Sequence, residues 1–306
     1  MSLLEAAGLH KAFGEVKAVG GISFNVAPGE IFGLIGPDGA GKSTTLRLIV
    51  GLLDADGGRI MVDGLDVARQ PEEVRDRLGY MPQQYSLYPD LTVAENLRFY
   101  ADMYFVPKKE RAARLERLYA FSRLKPYADR PAGKLSGGMY KKLALSCNMI
   151  HTPKLLLLDE PTNGVDPLSR RELWQILYAF AAEGVAIVVS TPYMDEAERC
   201  HRVALIHQGK LLDVDAPAAI LGRYTDRLLE LVADEPRAAR EALAGVPGLN
   251  RIYPAGEALK IAARKDVAAA EVVRQALAAR GLSARSLRET RPNFEDVFLS
   301  RVEDRP

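Results

Sequence analysis

The sequence predicts an α/β domain built on a mostly parallel sheet over residues 1–222, followed by a small α+β domain over residues 223–306. Three observations carry this expectation. Short apolar runs alternate with helix-period segments through the first two-thirds of the chain, the pattern of a sheet covered by helices. A glycine-rich turn, Gly36 to Ser43, lies between one such run and a helical pattern. After about Leu221 the composition shifts to Ala and Arg, with Lys260 and Lys265 the only lysines.

Ile31-Phe32-Gly33-Leu34-Ile35 reads as a buried strand feeding that turn, and a helix should start at Lys42. Leu155 to Leu158 and Ala186 to Ser190 read as two further buried strands. The stretch from about Gln84 to Ile150 is rich in helical patterns and poor in strands, which suggests a helical insertion. Within it, Thr92-Val93-Ala94-Glu95 is a capping box for a helix running towards Met103, and Pro107 opens a helix to about Phe121. In the last part the expected order is strand (Leu228–Val232), helix (Pro236–Ala244), strands (Leu249–Tyr253 and Ala258–Ala262), helix (Val267–Arg280), strand (Ala284–Leu287) and helix (Phe294–Val302). That βαββαβ order is the order of a ferredoxin-like sandwich.

Composition narrows the function classes. The 306 residues carry 41 Lys+Arg and 40 Asp+Glu, a net charge of +1, so no basic stripe for a nucleic-acid backbone stands out. With 48% hydrophobic and 26% charged residues the chain has the balance of a globular protein and not of a disordered one. Two cysteines, Cys147 and Cys200, exclude a disulfide scaffold, and no chemistry is assigned to them. No apolar run approaches the ~18 residues of a bilayer span. Met1-Ser2-Leu3-Leu4-Glu5 lacks the basic-then-apolar pattern of a secretory signal.

Gly36-Pro37-Asp38-Gly39-Ala40-Gly41-Lys42-Ser43 fits G-x-x-x-x-G-K-[ST]. Its glycines let successive backbone N–H groups curl around a phosphate at the N-terminus of the following helix. Lys42 would place its charge between the β- and γ-phosphates, and the Ser43 hydroxyl suits Mg²⁺. Leu155-Leu156-Leu157-Leu158-Asp159-Glu160 is the expected partner, a strand ending in two carboxylates. Asp159 suits a water-bridged contact to the same Mg²⁺, and Glu160 suits a general base acting on the attacking water. Between the two motifs lies Leu135-Ser136-Gly137-Gly138-Met139, where a Ser-Gly-Gly opening a helix makes a second anion site. One nucleotide does not need two such sites in one chain. Two copies arranged head to tail do, each ATP lying between the cradle of one and the Ser-Gly-Gly of the other.

Together these motifs resemble the nucleotide-binding subunits of ABC transporters over about residues 3–222, and within that family the drug-resistance-type (ABC-2) exporters. Leu91-Thr92-Val93 with Glu95-Asn96, the LSGGM signature, Met194-Asp195-Glu196-Ala197-Glu198 and the ending Pro292-Asn293-Phe294-Glu295-Asp296-Val297-Phe298 match that branch. The resemblance implies a P-loop NTPase with a RecA-like core, a β-subdomain and a helical insertion. It implies ATP contacts at Phe13 (stacking on adenine), Gly36, Pro37, Asp38, Gly39, Ala40, Gly41, Lys42, Ser43, Thr44, Gln83 and Asp159, with Ser136, Gly137 and Gly138 serving the neighbouring site. Catalysis would fall to Glu160, Gln83 and Lys42, and Mg²⁺ to Ser43, Gln83 and, through water, Asp159. Asn163-Gly164-Val165-Asp166 matches the loop that crosses the dimer interface. The implied partners are membrane-spanning permease subunits and a second ATPase domain, identical or not, separate or fused in tandem, and no nucleic acid. The implied location is the cytoplasmic face of the membrane.

Several positions depart from the pattern. Asp38 stands where Asn is commoner, and Tyr140 and Lys141 replace the usual basic residue and Gln after the signature. Pro192, in Ser190-Thr191-Pro192-Tyr193, stands where the family places a histidine against the γ-phosphate. Proline has no side-chain donor and no N–H. Two expectations follow: hydrolysis on this cradle is impaired while a non-identical partner site does the chemistry, or Glu160 suffices in a homodimer. A nucleotide-gated binding or regulatory module with little turnover is the alternative function. The basic run Lys108-Lys109-Glu110-Arg111 with Arg114 and Arg117 reads as a solvated helix face, or as a lipid or membrane-subunit contact. Trp174 and Tyr178, four residues apart, read as core.

Overall fold

The computed structural model describes residues 2–84 and 87–303. Two compact units divide the chain, Met1–Ala218 and Ala219–Pro306. The first begins with β1 (Leu4–Phe13) and β2 (Val16–Val26), then β3 (Ile31–Ile35), the glycine-rich turn and α1 (Lys42–Val50). Next come β4 (Gly57–Val62), β5 (Leu65–Asp66), α2 (Pro71–Arg75) and β6 (Leu78–Met81). Three helices follow, α3 (Val93–Met103), α4 (Lys108–Ser122) and α5 (Gly137–Met149), then β7 (Leu155–Asp159), α6 (Pro167–Ala182) and β8 (Ala186–Thr191). β9 (Arg202–His207) and β10 (Lys210–Asp215) form a hairpin, and α7 (Pro217–Gly222) spans the division between the units.

Strands β9, β3, β8, β7 and β6 run parallel in that order, and β10 pairs antiparallel with β9 at one edge. β3, β7 and β8 are buried at every position, as strands covered on both faces must be. The second sheet, in the order β2-β1-β4-β5, is antiparallel. It closes a shared core in which Phe24 stacks on Phe32 of β3 with ring centroids 5.0 Å apart.

Between β6 and β7 the described residues form the three helices and two short 3-10 turns, with no strand. Thr92 caps α3 by accepting from the Glu95 N–H while the Glu95 carboxylate accepts from the Thr92 N–H, the reciprocal box that the sequence predicts. Asn96 is fully buried there because its side chain serves four backbone groups: it accepts from Tyr88 N and donates to the carbonyls of Tyr88, Leu91 and Thr92.

The basic run on α4 is less solvated than its pattern suggests. Lys108 and Lys109 are exposed, but Arg111 donates to the Val106 carbonyl, Arg114 to Ile150 O and Glu110, and Arg117 to Glu183. Tyr178 also departs from expectation. Trp174 is fully buried, yet Tyr178 is 40% exposed and donates its hydroxyl to Arg199 O. The buried stripe of α6 is centred on Leu173, Leu177 and Phe180. Trp174 reaches into it from the edge, and Tyr178 lies one step farther round the helix.

The second unit runs β11 (Arg227–Ala233), α8 (Pro236–Leu243), β12 (Leu249–Ala255), β13 (Ala258–Ala263), α9 (Ala269–Ala278), β14 (Ala284–Thr290) and α10 (Phe294–Glu303). Its sheet is antiparallel throughout, in the order β12-β13-β11-β14. Leu229, Leu231 and Ile261 meet Leu243 of α8 and Val273 and Leu277 of α9 in its core. Lys260, between the inward-facing Leu259 and Ile261, points to the other face. There its ammonium donates to Asp296 of α10 at 2.7 and 2.8 Å, and the Tyr253 hydroxyl donates to the same carboxylate at 2.5 Å.

Candidate functional site

The carboxyl ends of β3, β6, β7 and β8 point the same way, and in a sheet of this kind the loops leaving those ends carry the chemistry. The loop after β3 is the glycine-rich cradle, and two of its glycines are fixed by sterics. A Cβ on Gly36 would lie 2.1 Å from Ile206 O, and one on Gly41, whose φ is +102°, would lie 2.2 Å from Ala18 O. The cradle is pressed against β9 on one side and β2 on the other. Gly209, at the β9–β10 turn, adds a third hold by donating its N–H to Ala40 O at 3.0 Å and accepting from Gly20 N at 2.7 Å.

Lys42 begins α1 and is buried. Its ammonium donates to Gly36 O at 2.8 Å and Pro37 O at 2.9 Å, and it lies 4.0 Å from Glu160 Oε1. Burial pushes this lysine below its ordinary range, against the opposing pull of Glu160, Asp38 and Asp159. Asp38 and Gly39 are exposed at the rim, while Ala40 is buried beneath it. A cleft of about 860 Å³ opens over the cradle, with Ser43, Thr44, Gln83 and Phe13 in its wall. Phe13 is 50% exposed at the end of β1, an unusual place for an aromatic ring with no partner surface and a suitable one for a stacked base.

The acidic strand end meets the cradle directly. Ser43 Oγ donates to Asp159 Oδ1 at 2.9 Å, and Ser190 Oγ donates to the same oxygen at 2.6 Å. Among the described residues Asp159 Oδ2 is buried without a hydrogen-bond partner. A buried, unsatisfied carboxylate oxygen beside a hydroxyl fits a bound divalent cation and its water. Among the described residues no three His, Cys, Asp or Glu side chains converge as a metal cage.

Glu160 follows with φ +51°, a left-handed conformation rarely held by a glutamate and maintained here by its N–H donating to Ser190 O and Oγ, both at 3.1 Å. Its Oε2 accepts from Gln83 Nε2 at 2.9 Å and from Asn163 Nδ2 at 3.1 Å. Pro192 lies in the cleft wall, so proline occupies the position where the resemblance implies a histidine. The structure therefore brings together Phe13, the cradle, Gln83, Asp159 and Glu160. It does not bring Ser136, Gly137 and Gly138 to the wall of that cleft. Ser136 caps α5 through Met139 N, Ser136 and Gly137 are exposed, and Gly138 is buried against Ser169, whose Oγ lies 2.3 Å from where a Cβ would be.

Ser190, Tyr193 and Gln208 were not among the expected site residues, and Asn163 was expected only at a dimer interface. Ser190 was open to discovery, since a polar residue ending a buried apolar run is the signal that exposes Asp159. Tyr193 and Gln208 carry no comparable signal. Cys147 and Cys200 are buried and free, and burial pushes both thiols above their ordinary range.

A glycine-rich cradle before a helix, an acidic strand end bonded to its serine, and strands ordered so that both open into one cleft define a P-loop nucleoside triphosphate-binding protein. An ABC transporter family model matches residues 19–163. The probable multidrug ABC transporter ATP-binding protein YbhF of Escherichia coli (strain K12) is 40% identical over 296 residues, covering 95% of this chain. This chain spans 50% of that protein's length. The Nod factor export ATP-binding protein I of Paraburkholderia xenovorans (strain LB400) is 39% identical over 251 residues, covering 81% of this chain and 82% of that one. Among solved structures, an ATP binding subunit of an ABC transporter shares 32% identity at a TM-score of 0.66, over 72% of this chain and 93% of that one. The chain belongs to the ATP-binding proteins of ABC transporters.

Proposed function

We propose that the chain is the energy-coupling ATPase of an exporter. ATP lies in the 860 Å³ cleft with its base on Phe13 and its phosphates in the cradle, where Lys42 exchanges its carbonyl partners for phosphate oxygens. Ser43, Gln83 and, through water, Asp159 would hold Mg²⁺, which when bound would offset charge on the β- and γ-phosphates. Glu160 polarises the water that attacks the γ-phosphate. Ser136-Gly137-Gly138 of a second ATPase domain, a second copy or a non-identical one that is separate or fused in tandem, closes the cleft from outside. The exposure of Ser136 and Gly137 in a single chain supports that arrangement.

A second cleft, of about 460 Å³, runs beside Met81 and Pro82 and is lined by Tyr88, Phe99 and Met103, each more than a third exposed. It supports docking of a membrane-spanning permease subunit next to Gln83, and with it a location at the cytoplasmic face of the membrane. Among the described residues no helix is long and apolar enough to cross a bilayer. The names of the relatives, one a multidrug transporter's and one a Nod factor exporter's ATP-binding protein, support export as the direction of transport. Cargo choice would belong to the permease.

One observation carries the reading: Glu160 receives both amides on Oε2 and stands 4.0 Å from Lys42 through Oε1, a carboxylate aimed at the place where a γ-phosphate would lie. Glu160→Gln should lower turnover by about 10²- to 10⁴-fold and trap an ATP-bound dimer. Finding only monomer with ATP, even with a partner domain supplied, would overturn it. Pro192 in the cleft wall favours a second reading, a nucleotide-gated module with little turnover on this cradle. ATPase measured with and without the membrane partner separates the two.

A further inference from the structure

Glu160 can act as a base only if its carboxylate is held, and the group that holds it needs holding in turn. Asn163 Nδ2 donates to Glu160 Oε2 at 3.1 Å. An asparagine amide has two faces of opposite polarity, and a half-turn about its last torsion would set Oδ1 against the carboxylate, acceptor facing acceptor. In this chain the Tyr193 hydroxyl donates to Asn163 Oδ1 at 3.3 Å. A hydroxyl can also accept, but with Oδ1 facing Tyr193 and Nδ2 facing Glu160 both ends of the amide are satisfied at once.

Tyr193 is itself fixed. The Arg170 guanidinium lies 4.6 Å over its ring, and Arg170 is anchored by Asp195 at 3.5 Å and Glu196 at 3.6 Å. The Tyr193 N–H donates to Thr191 Oγ1 at 3.1 Å. On the other side Lys141 of α5 donates to the Asn163 carbonyl, and Asn163 N donates to Glu160 O at 3.2 Å. Asn163 is therefore clamped by three elements, and Tyr193 holds the oxygen end of its amide while Glu160 takes the nitrogen end.

We propose that Tyr193 is a positioning residue for Glu160, acting through Asn163, and that it supplies on this side of the cleft an orienting contact that Pro192 cannot make. This rests on the reading of Glu160 as the base. Tyr193 touches neither nucleotide nor water in this scheme; it orients the amide that orients the carboxylate.

The test uses the full chain and the variants Tyr193→Phe and Asn163→Ala, alone and together. Phenylalanine keeps the ring under Arg170 and removes only the hydroxyl. Loss of one neutral hydrogen bond should lower kcat about three- to tenfold with little change in KM for ATP. Asn163→Ala should lower kcat as well, and adding Tyr193→Phe to it should cost nothing more, because the two act in series. A second readout needs no turnover: in protein labelled with ¹⁵N at asparagine, the Asn163 side-chain amide resonance should move in Tyr193→Phe. Wild-type kcat together with an unmoved resonance overturns the proposal, and so do losses that multiply in the double variant. A Glu160→Gln variant with wild-type turnover would instead sink the base assignment, and the amide resonance would then decide the Tyr193–Asn163 link by itself.

Discussion

Gln83 and Glu160 stand 77 positions apart in the chain and meet side chain to side chain, the Gln83 amide donating to the Glu160 carboxylate at 2.9 Å. One leaves the end of β6 and the other the end of β7, neighbouring strands in the sheet. Gln83 also borders Pro82, which lines the proposed permease cleft. A hydrogen bond to a charged group is worth about 1.5–3 kcal/mol, so Gln83→Ala should cut kcat roughly ten- to a hundredfold, a larger loss than in Mg-ATP affinity, to which Gln83 is one contributor among several. Steady-state ATPase and nucleotide titration check this; an affinity loss of the same size as the rate loss would mean that Gln83 serves binding and not the base.

Lys42 is the lysine whose ammonium donates to the cradle carbonyls Gly36 O and Pro37 O. Lys42→Ala removes a buried cation 4.0 Å from Glu160 and should weaken ATP binding by at least about tenfold, the loss of a charge-assisted bond. Equilibrium dialysis or fluorescent-nucleotide titration reads it, and unchanged affinity would remove the cradle as the phosphate site.

Pro192→His restores a side-chain donor to the cleft wall. If the native proline slows hydrolysis, turnover should rise severalfold, within the about 10²-fold scale of one transition-state donor. No change, in a homodimer that is already fully active, would end the case for an asymmetric pair of sites.

Lys141 is pressed against the Asn163 carbonyl with Glu160, Glu196 and Arg170 nearby, and burial pushes it down to about 8. An unfolded lysine titrates near about 10.4. Between those two values the unfolded chain binds more protons at this site, so its contribution to stability rises with pH across that window. Denaturation midpoints of Lys141→Met against wild type, measured from pH 7 to 10, should diverge in that sense. NMR of ¹³C-methylated lysines should show one resonance titrating near 8; a midpoint near that of the other lysines would refute the shift.

In the second unit, Asp296 accepts from Lys260, Tyr253 and the Asn293 N–H while fully enclosed. Asp296→Asn removes the charge and leaves Lys260 without its counter-ion. The cost should be about 3 kcal/mol, seen as an earlier denaturation transition for this unit. An unshifted transition would mean that α10 is held by its apolar residues alone.

The cradle was legible because phosphate recognition by backbone is local: Gly36 to Ser43 are consecutive, and the strand before them and the helix after them are apolar in the required way. The capping box at Thr92 and Glu95 was legible for the same reason. The antiparallel arm was not resolved strand by strand, since β1 slips register between Ala6 and Leu9 and the bulge breaks the alternation that marks a half-buried strand. The grouping of Gln83, Asn163, Ser190 and Tyr193 around two carboxylates depends on which strands neighbour one another, and strand order leaves no trace in local spacing. Tyr178 shows the converse error, a helical interval read as a buried stripe when it lay at that stripe's margin.

The hairpin tip at Gln208 and Gly209 has both residues at positive φ, a tight reversal that seats it against the cradle. Within its sheet β10 pairs with β9 alone, so the tip's further ties are the backbone hydrogen bonds to Gly20 and Ala40. Gentle warming or low denaturant should fray that border before the interior melts. Nucleotide grip would then fade ahead of the main transition, making ligand affinity an early thermometer for the integrity of that seam.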